Sequence, residues 1–152
     1  VIVYRISSMG HARDLSGAGA GLYGGRWNAK GVNVVYAAQS RALAALEFYV
    51  NRSQTTDLVN LGLTSILLPE DASTRHIDLE TLPEGWNSFP VPDETVEIGT
   101  AWAVSGETLV LCVPSAVMPR ERNYIINPGH KDAARVTVAG VEDYAFDQRF
   151  VL

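Results

Sequence analysis

The sequence predicts one α+β domain: mixed, short-stranded sheets accompanied by few helices. Three observations carry this reading. The chain has 152 residues, the size of a single domain. Segments rich in Val, Ile, Tyr and Thr outnumber segments with a helical period. These strand candidates do not alternate with helices as regular βαβ units, which counts against a doubly wound sheet. No internal repeat, low-complexity tract or long linker divides the chain, so residues 1–152 are read as one unit.

Residues 1–6 (VIVYRI) are β-branched and aromatic and predict the first strand. Residues 7–31 hold seven of the 13 glycines and show little periodicity. A loop that long in a compact domain is functional or disordered as a rule. Leu22, Tyr23 and Trp27 argue for order, because such side chains favour burial. A strand is expected over 32–38. Ser40 is a suitable N-cap for a helix reaching about Asn51. Residues 57–68 predict a strand with Val59, Leu61, Leu63 and Leu67 on one face, and 74–79 a short one. Pro83, Pro90 and Pro92 interrupt the pattern around Trp86 and Phe89. A short helix over 94–104 contains Gly99, which weakens it. Residues 107–113 (ETLVLCV) predict a buried strand, and 124–126, 135–138 and 144–146 further short ones.

Composition narrows the function. The chain is 47% apolar with a net charge of -5. An acidic chain is a poor candidate for direct nucleic-acid binding by phosphate neutralisation. A small anionic ligand remains compatible, since it needs only one or two placed cations. The lone Cys112 excludes an internal disulfide framework and a Cys-based zinc cluster. No apolar run approaches the ~18 residues of a membrane span, and no signal peptide is visible. The expected setting is a reducing cytoplasm.

Several residues could carry chemistry. At 3.6 residues per turn, Leu43, Leu46, Glu47 and Val50 form one stripe. Glu47 therefore sits on an apolar face, where a carboxylate must be paired, hydrogen-bonded or protonated. Alternatively, Glu47 lies at the edge of that stripe with its head in solvent or on an Arg. Gly24-Gly25-Arg26-Trp27-Asn28 places a cation and an aromatic in a flexible turn. Arg presents a rigid fork of donors for phosphate or carboxylate, though a structural salt bridge fits equally. Residues 19–24 are formally G-x-G-x-x-G, but they neither follow a strand nor open a helix, so a dinucleotide fingerprint is discounted. Ser115 ends a buried strand without a G-x-S-x-G elbow and reads alone as a turn cap. His11, His76 and His130 lack metal-ligand spacing, and no metal is expected. Asn123, Tyr124 and Asn127 form a polar-aromatic cluster, although Asn127-Pro128 also suits a turn.

Taken together, these segments resemble the RES domain, the toxin half of bacterial RES–Xre toxin–antitoxin pairs. The matching words include Val3-Tyr4-Arg5, residues 16–21 (SGAGAG), 24–31 (GGRWNAKG), 34–40 (VVYAAQS) and 42–47 (ALAALE). Residues 82–86 (LPEGW), 98–102 (IGTAW), 113–119 (VPSAVMP), 123–128 (NYIINP) and 146–149 (FDQR) follow in order. By motif position, the family's Arg, Glu and Ser fall on Arg26, Glu47 and Ser115, with Tyr36 as a further site residue. The resemblance implies an ADP-ribosyltransferase-like fold that binds NAD+ as substrate and cleaves its nicotinamide–ribose bond by hydrolysis or phosphorolysis. Arg5, Gly25, Arg26, Tyr36, Asn123 and Asn127 are the implied binding set, with Arg5 a second candidate for the arginine role. An Xre-type helix-turn-helix antitoxin is the implied partner, in a heteromeric complex.

On this basis Glu47 would stabilise positive charge on the ribose and Arg26 would hold pyrophosphate or a ribose hydroxyl. Tyr36 would pack on nicotinamide, and Ser115 would hydrogen-bond nicotinamide or ribose. Two alternatives stand beside this reading: an ADP-ribosyltransferase that modifies a protein, and a catalytically silent antitoxin-binding module.

Overall fold

The computed structural model describes residues 1–52 and 58–151. Its centre is one seven-stranded sheet: β1 (Ile2–Ser8), β2 (Val35–Ala38), β3 (Leu61–Leu67), β4 (Thr74–His76), β5 (Val110–Pro114), β6 (Arg122–Ile126) and β7 (Thr137–Tyr144). The spatial order is β4-β5-β6-β2-β1-β3-β7. β4 and β5 run parallel, and the other neighbouring pairs are antiparallel. Among the described residues, three α-helices accompany the sheet: α1 (Ala18–Tyr23), α2 (Arg41–Asn51) and α3 (Asp93–Ser105). The α+β class is as expected, but the strands join one sheet rather than several.

Side-chain alternation gives the sheet two faces. Register places Tyr4 opposite Ala38, Tyr36 opposite Ile125 and Ala38 opposite Asn123. These residues share a face with Ile6, Leu63, Leu111 and Val113. α2 packs there through Leu43 and Ala44 against Ile6, Ala38, Leu61 and Leu63. Beside it, Trp27, Trp86 and Trp102 cluster over Leu111, Val113 and Ile125. The opposite face buries Val3, Val35, Ala37, Ile66, Val110 and Ile126.

α2 begins where its cap predicts: Ser40 Oγ accepts from the Leu43 amide at 3.1 Å. Its buried stripe is narrower than the 3.6-residue period suggests, because Val50 is exposed. β3 starts at Leu61, after an exposed Val59. Gly62, Thr64 and Ile66 are buried as well as Leu61 and Leu63, while Leu67 is exposed, so a one-face reading of this strand is corrected. β3 lies between β1 and β7, next to last in the sheet, and is buried on both faces. Asp57, the first residue of the expected strand, lies outside the described residues. Of the candidates 135–138 and 144–146, only 137–138 and 144 fall in β7, since Arg135 ends a 3-10 turn and 145–146 lie past the strand. The alternation of β7 is broken by a bulge opposite Ser65 and Ile66.

Residues 7–31 are not one loop. They contain a 3-10 turn (Met9–His11) and α1. Trp27 is buried as expected, but Leu22 and Tyr23 are 66% and 75% exposed. Order in this segment comes from Trp27 and from hydrogen bonds, not from burial of all three side chains.

Gly99 lets α3 approach the backbone of the turn at Trp27. A Cβ at this position would lie 1.8 Å from the Trp27 carbonyl oxygen. The helix thus rests directly on the backbone of the turn that contains Arg26. We expect Gly99→Ala to lower stability by about 1–3 kcal/mol through overpacking. Urea unfolding measures it, and an unchanged midpoint and slope would contradict this packing.

Candidate active site

Arg26 is presented by a tight turn. Gly25 and Asn28 form a two-residue bridge, with the Gly25 amide donating to the Asn28 carbonyl at 2.9 Å. The turn is braced by Tyr36 from β2. Its hydroxyl donates to Asn28 Oδ1 at 2.6 Å and accepts from the Trp27 amide at 3.0 Å. Asn28 is 1% exposed, and its Nδ2 donates to the Ala20 and Val32 carbonyls at 2.8 and 2.9 Å. Gly25 has no room for a side chain, because a Cβ would meet the Tyr36 hydroxyl at 2.8 Å and Asn28 Oδ1 at 2.9 Å. From α3, Thr100 Oγ1 accepts from the Ala29 amide at 2.9 Å.

The Arg26 side chain is itself fixed. Nη1 donates to the carbonyls of Trp86 and Ser88, both at 2.9 Å. Both hydrogens of Nη1 are thereby used, so Nε and Nη2 are the donors that remain for a ligand. Burial lowers the guanidinium pKa, while the nearby Glu47 carboxylate and Tyr36 phenol raise it. Arginine nevertheless stays charged at physiological pH. Burial pushes the Tyr36 phenol well above its ordinary value, against the pull of the Trp27 amide and Arg26. Tyr36 is therefore a neutral brace.

Glu47 reaches the same face from α2. Its Oε1 accepts from Ser115 Oγ at 2.7 Å and from Asn123 Nδ2 at 2.9 Å. Its Oε2 accepts from Asn51 Nδ2 at 3.2 Å. All three of these donors are neutral groups, a hydroxyl and two amides. Among the described residues, Glu47 has no ion pair.

Ser115 is fully buried. Besides donating to Glu47, its Oγ accepts from the Val117 and Met118 amides at 3.2 and 3.1 Å. It both caps the turn, as its sequence position suggests, and holds Glu47. Its hydroxyl hydrogen is directed at the Glu47 carboxylate.

The structure thus brings together Gly25, Arg26, Tyr36, Glu47, Ser115 and Asn123. It does not bring in Arg5 or Asn127. Arg5 pairs with Thr64 in register and shares the opposite sheet face with Val3. There it donates to the His11 and Ala12 carbonyls, and burial lowers its pKa against the pull of Asp14. Asn127 lies four residues beyond Asn123, about 13 Å along a strand direction. It donates to the Ala103 carbonyl and accepts from the Gly129 amide, both at 3.0 Å, which is a turn role. Sequence reasoning missed Asn28 and Asn51 as site residues. Asn28 was legible within Gly-Gly-Arg-Trp-Asn, and Asn51 as the residue four positions after Glu47 on the same helix.

The fold as a whole is similar to a chain of the MbcT–MbcA toxin–antitoxin complex of M. tuberculosis. The TM-score is 0.71 at 17% identity, covering 95% of this chain and 84% of that one. Residues 2–148 match the RES domain, and the chain belongs to that family. It is 42% identical to a "Prs ADP-ribosylating toxin" of Sphingobium sp. (strain YBL2), covering 92% of this chain and 88% of that protein. It is 39% identical to a "Toxin Res" of Photorhabdus laumondii, covering 99% and 97%.

Tyr36→Phe would leave a buried Asn28 acceptor and the Trp27 amide unpaired. The expected cost is about 1–3 kcal/mol in urea unfolding. A variant as stable as the parent would show that the phenol does not brace the turn.

Proposed function

We propose that this RES domain is the toxin of a toxin–antitoxin pair, and that it binds NAD+ and breaks its nicotinamide–ribose bond, depleting NAD+ by hydrolysis or phosphorolysis. The observation that carries the reading is a pair of uncancelled charges on one sheet face. Glu47 is held by neutral donors, and Arg26 by two carbonyls. Family membership and the relatives' names support it, since ADP-ribosylation requires an ADP-ribose donor.

The chemistry follows from those charges. As the C–N bond breaks, its electron pair leaves with nicotinamide, which departs neutral. Positive charge develops on the ribose carbon. The Glu47 carboxylate, hydrogen-bonded to a ribose hydroxyl, stabilises that charge in a partly water-excluded place. Nε and Nη2 of Arg26 hold pyrophosphate or a ribose hydroxyl. The Tyr36 ring borders the nicotinamide, while Ser115 and Asn123 keep the carboxylate aimed. A nucleophile, water or phosphate, then attacks the ribose carbon.

The partner in this reading is an Xre-type helix-turn-helix antitoxin that covers the site, and the compartment is the cytoplasm. Among the described residues, no helix is long and apolar enough to cross a membrane. The net charge of -5 supports DNA contact through the antitoxin rather than through this chain. A second reading, transfer of ADP-ribose to a protein, is favoured by the name of the Sphingobium relative. It uses the same site with a protein nucleophile, and an ADP-ribose mass increment on a partner distinguishes it. A silent antitoxin-binding module has less support, because such a module gains nothing from aiming Glu47.

Purified protein incubated with NAD+ should release nicotinamide. Glu47→Gln should lower that rate about 10²-fold or more, the scale of losing one charge-stabilising group. No release and no NAD+ binding by the parent would overturn the enzyme reading. Full activity in Glu47→Gln would overturn the mechanism alone.

A further inference from the structure

The two oxygens of Glu47 are not equivalent. A carboxylate oxygen offers two lone-pair directions. On Oε1 both are taken, by Ser115 Oγ at 2.7 Å and Asn123 Nδ2 at 2.9 Å. Ser115 is fully buried, so ligand access from that side is closed. On Oε2 the described residues supply one donor, Asn51 Nδ2, at the longer distance of 3.2 Å. Asn51 is the last residue of α2 and is exposed. Its Nδ2 also donates to the backbone carbonyl of Glu47 at 2.9 Å. The Asn51 amide is thereby folded back along its own helix. One of its hydrogens is fixed by the backbone, and the other is delivered to Oε2.

We infer that Oε2 is the Glu47 oxygen that meets the substrate, and that Asn51 is a positioning residue which aims it. This rests on the proposed action on NAD+. Ser115 and Asn123 pin one oxygen. Asn51 sets the rotation of the carboxylate about that pin, leaving the second lone pair of Oε2 for a ribose hydroxyl. Such a bond strengthens as positive charge develops on the ribose, so misaiming Oε2 acts on the chemical step more than on binding.

The test compares the parent, Asn51→Ala, Asn51→Gln and Asn51→Asp. Asn51→Ala should lower kcat for nicotinamide release about fivefold to tenfold, the loss of one hydrogen bond, with KM changed less than about twofold. Asn51→Gln keeps an amide donor at the same helical spacing and should recover most of kcat. Asn51→Asp keeps the shape but faces Oε2 with a like charge, and should be slower than Asn51→Ala. With NAD+ analogues that lack one nicotinamide-ribose hydroxyl, the penalty of Asn51→Ala should vanish for the hydroxyl that Oε2 receives. Thermal midpoints should match the parent, because Asn51 is exposed. If Asn51→Ala keeps parental kcat, or loses it equally on every analogue, the inference is overturned.

A parent that releases no nicotinamide overturns the proposed function. The aiming role then stands or falls by NMR of protein carrying 13C at the Glu carboxyl carbon. Asn51→Ala should shift and mobilise the Glu47 signal while leaving other Glu signals in place. An unmoved Glu47 signal overturns it.

Discussion

Ser115 and Glu47 are 68 positions apart, yet their side chains are joined by a 2.7 Å hydrogen bond. This bond ties the helix on one face of the sheet to the end of β5, and Asn123 adds a tie to β6. The constraint is electrostatic before it is architectural. A carboxylate leaving bulk water needs donors. Here they come from a hydroxyl and amides, not from an arginine. The charge is kept, and the geometry around it is shared by three elements.

Arg26 is treated in the same way from the other direction. Its Nη1 is held by two backbone carbonyls, and the turn beneath it is locked by Tyr36, Asn28 and the close approach of Gly99. A direct Arg26–Glu47 ion pair would have satisfied both groups, and a ligand would then have had to break it. Neutral partners leave both charges ready for use. Holding such groups in place before the ligand arrives spares reorganisation during the reaction. The Glu47–Ser115–Asn123 unit and the Arg26–Trp86–Ser88 unit are built from different segments, so the sheet itself sets their spacing.

Much of the frame was legible in the chain. β1, β5 and α2 announced themselves through β-branched runs and the Ser40 cap. Arg26, Tyr36, Glu47 and Ser115 stood out once their motifs were taken together. Other features had no local signal. α1 lies in a glycine-rich stretch of low helix propensity, where bonds from Asn28 and Gly31 to the Ala20 and Gly21 carbonyls hold it in place. Arg5 has a half-buried, strand-borne guanidinium that looks functional until register puts it on the other face. Asn127 lies past the end of β6, while Asn123 is near its start, a separation that a shared motif conceals. Ser115 reads in sequence as a turn cap or a ligand contact. Only tertiary structure shows that one hydroxyl caps the turn and anchors Glu47 together.

In the proposed function, Glu47 and Arg26 form one NAD+ site whose carboxylate is aimed in advance. A crystal structure of the Glu47→Gln variant with NAD+ bound tests it most directly. The account predicts a nicotinamide-ribose hydroxyl within hydrogen-bond distance of residue 47 on the side facing Asn51. It also predicts Arg26 Nε or Nη2 on the pyrophosphate or a ribose hydroxyl, with Ser115 still turned toward residue 47. NAD+ bound elsewhere, for example beside Asn127 and Pro128 with residue 47 untouched, would contradict it.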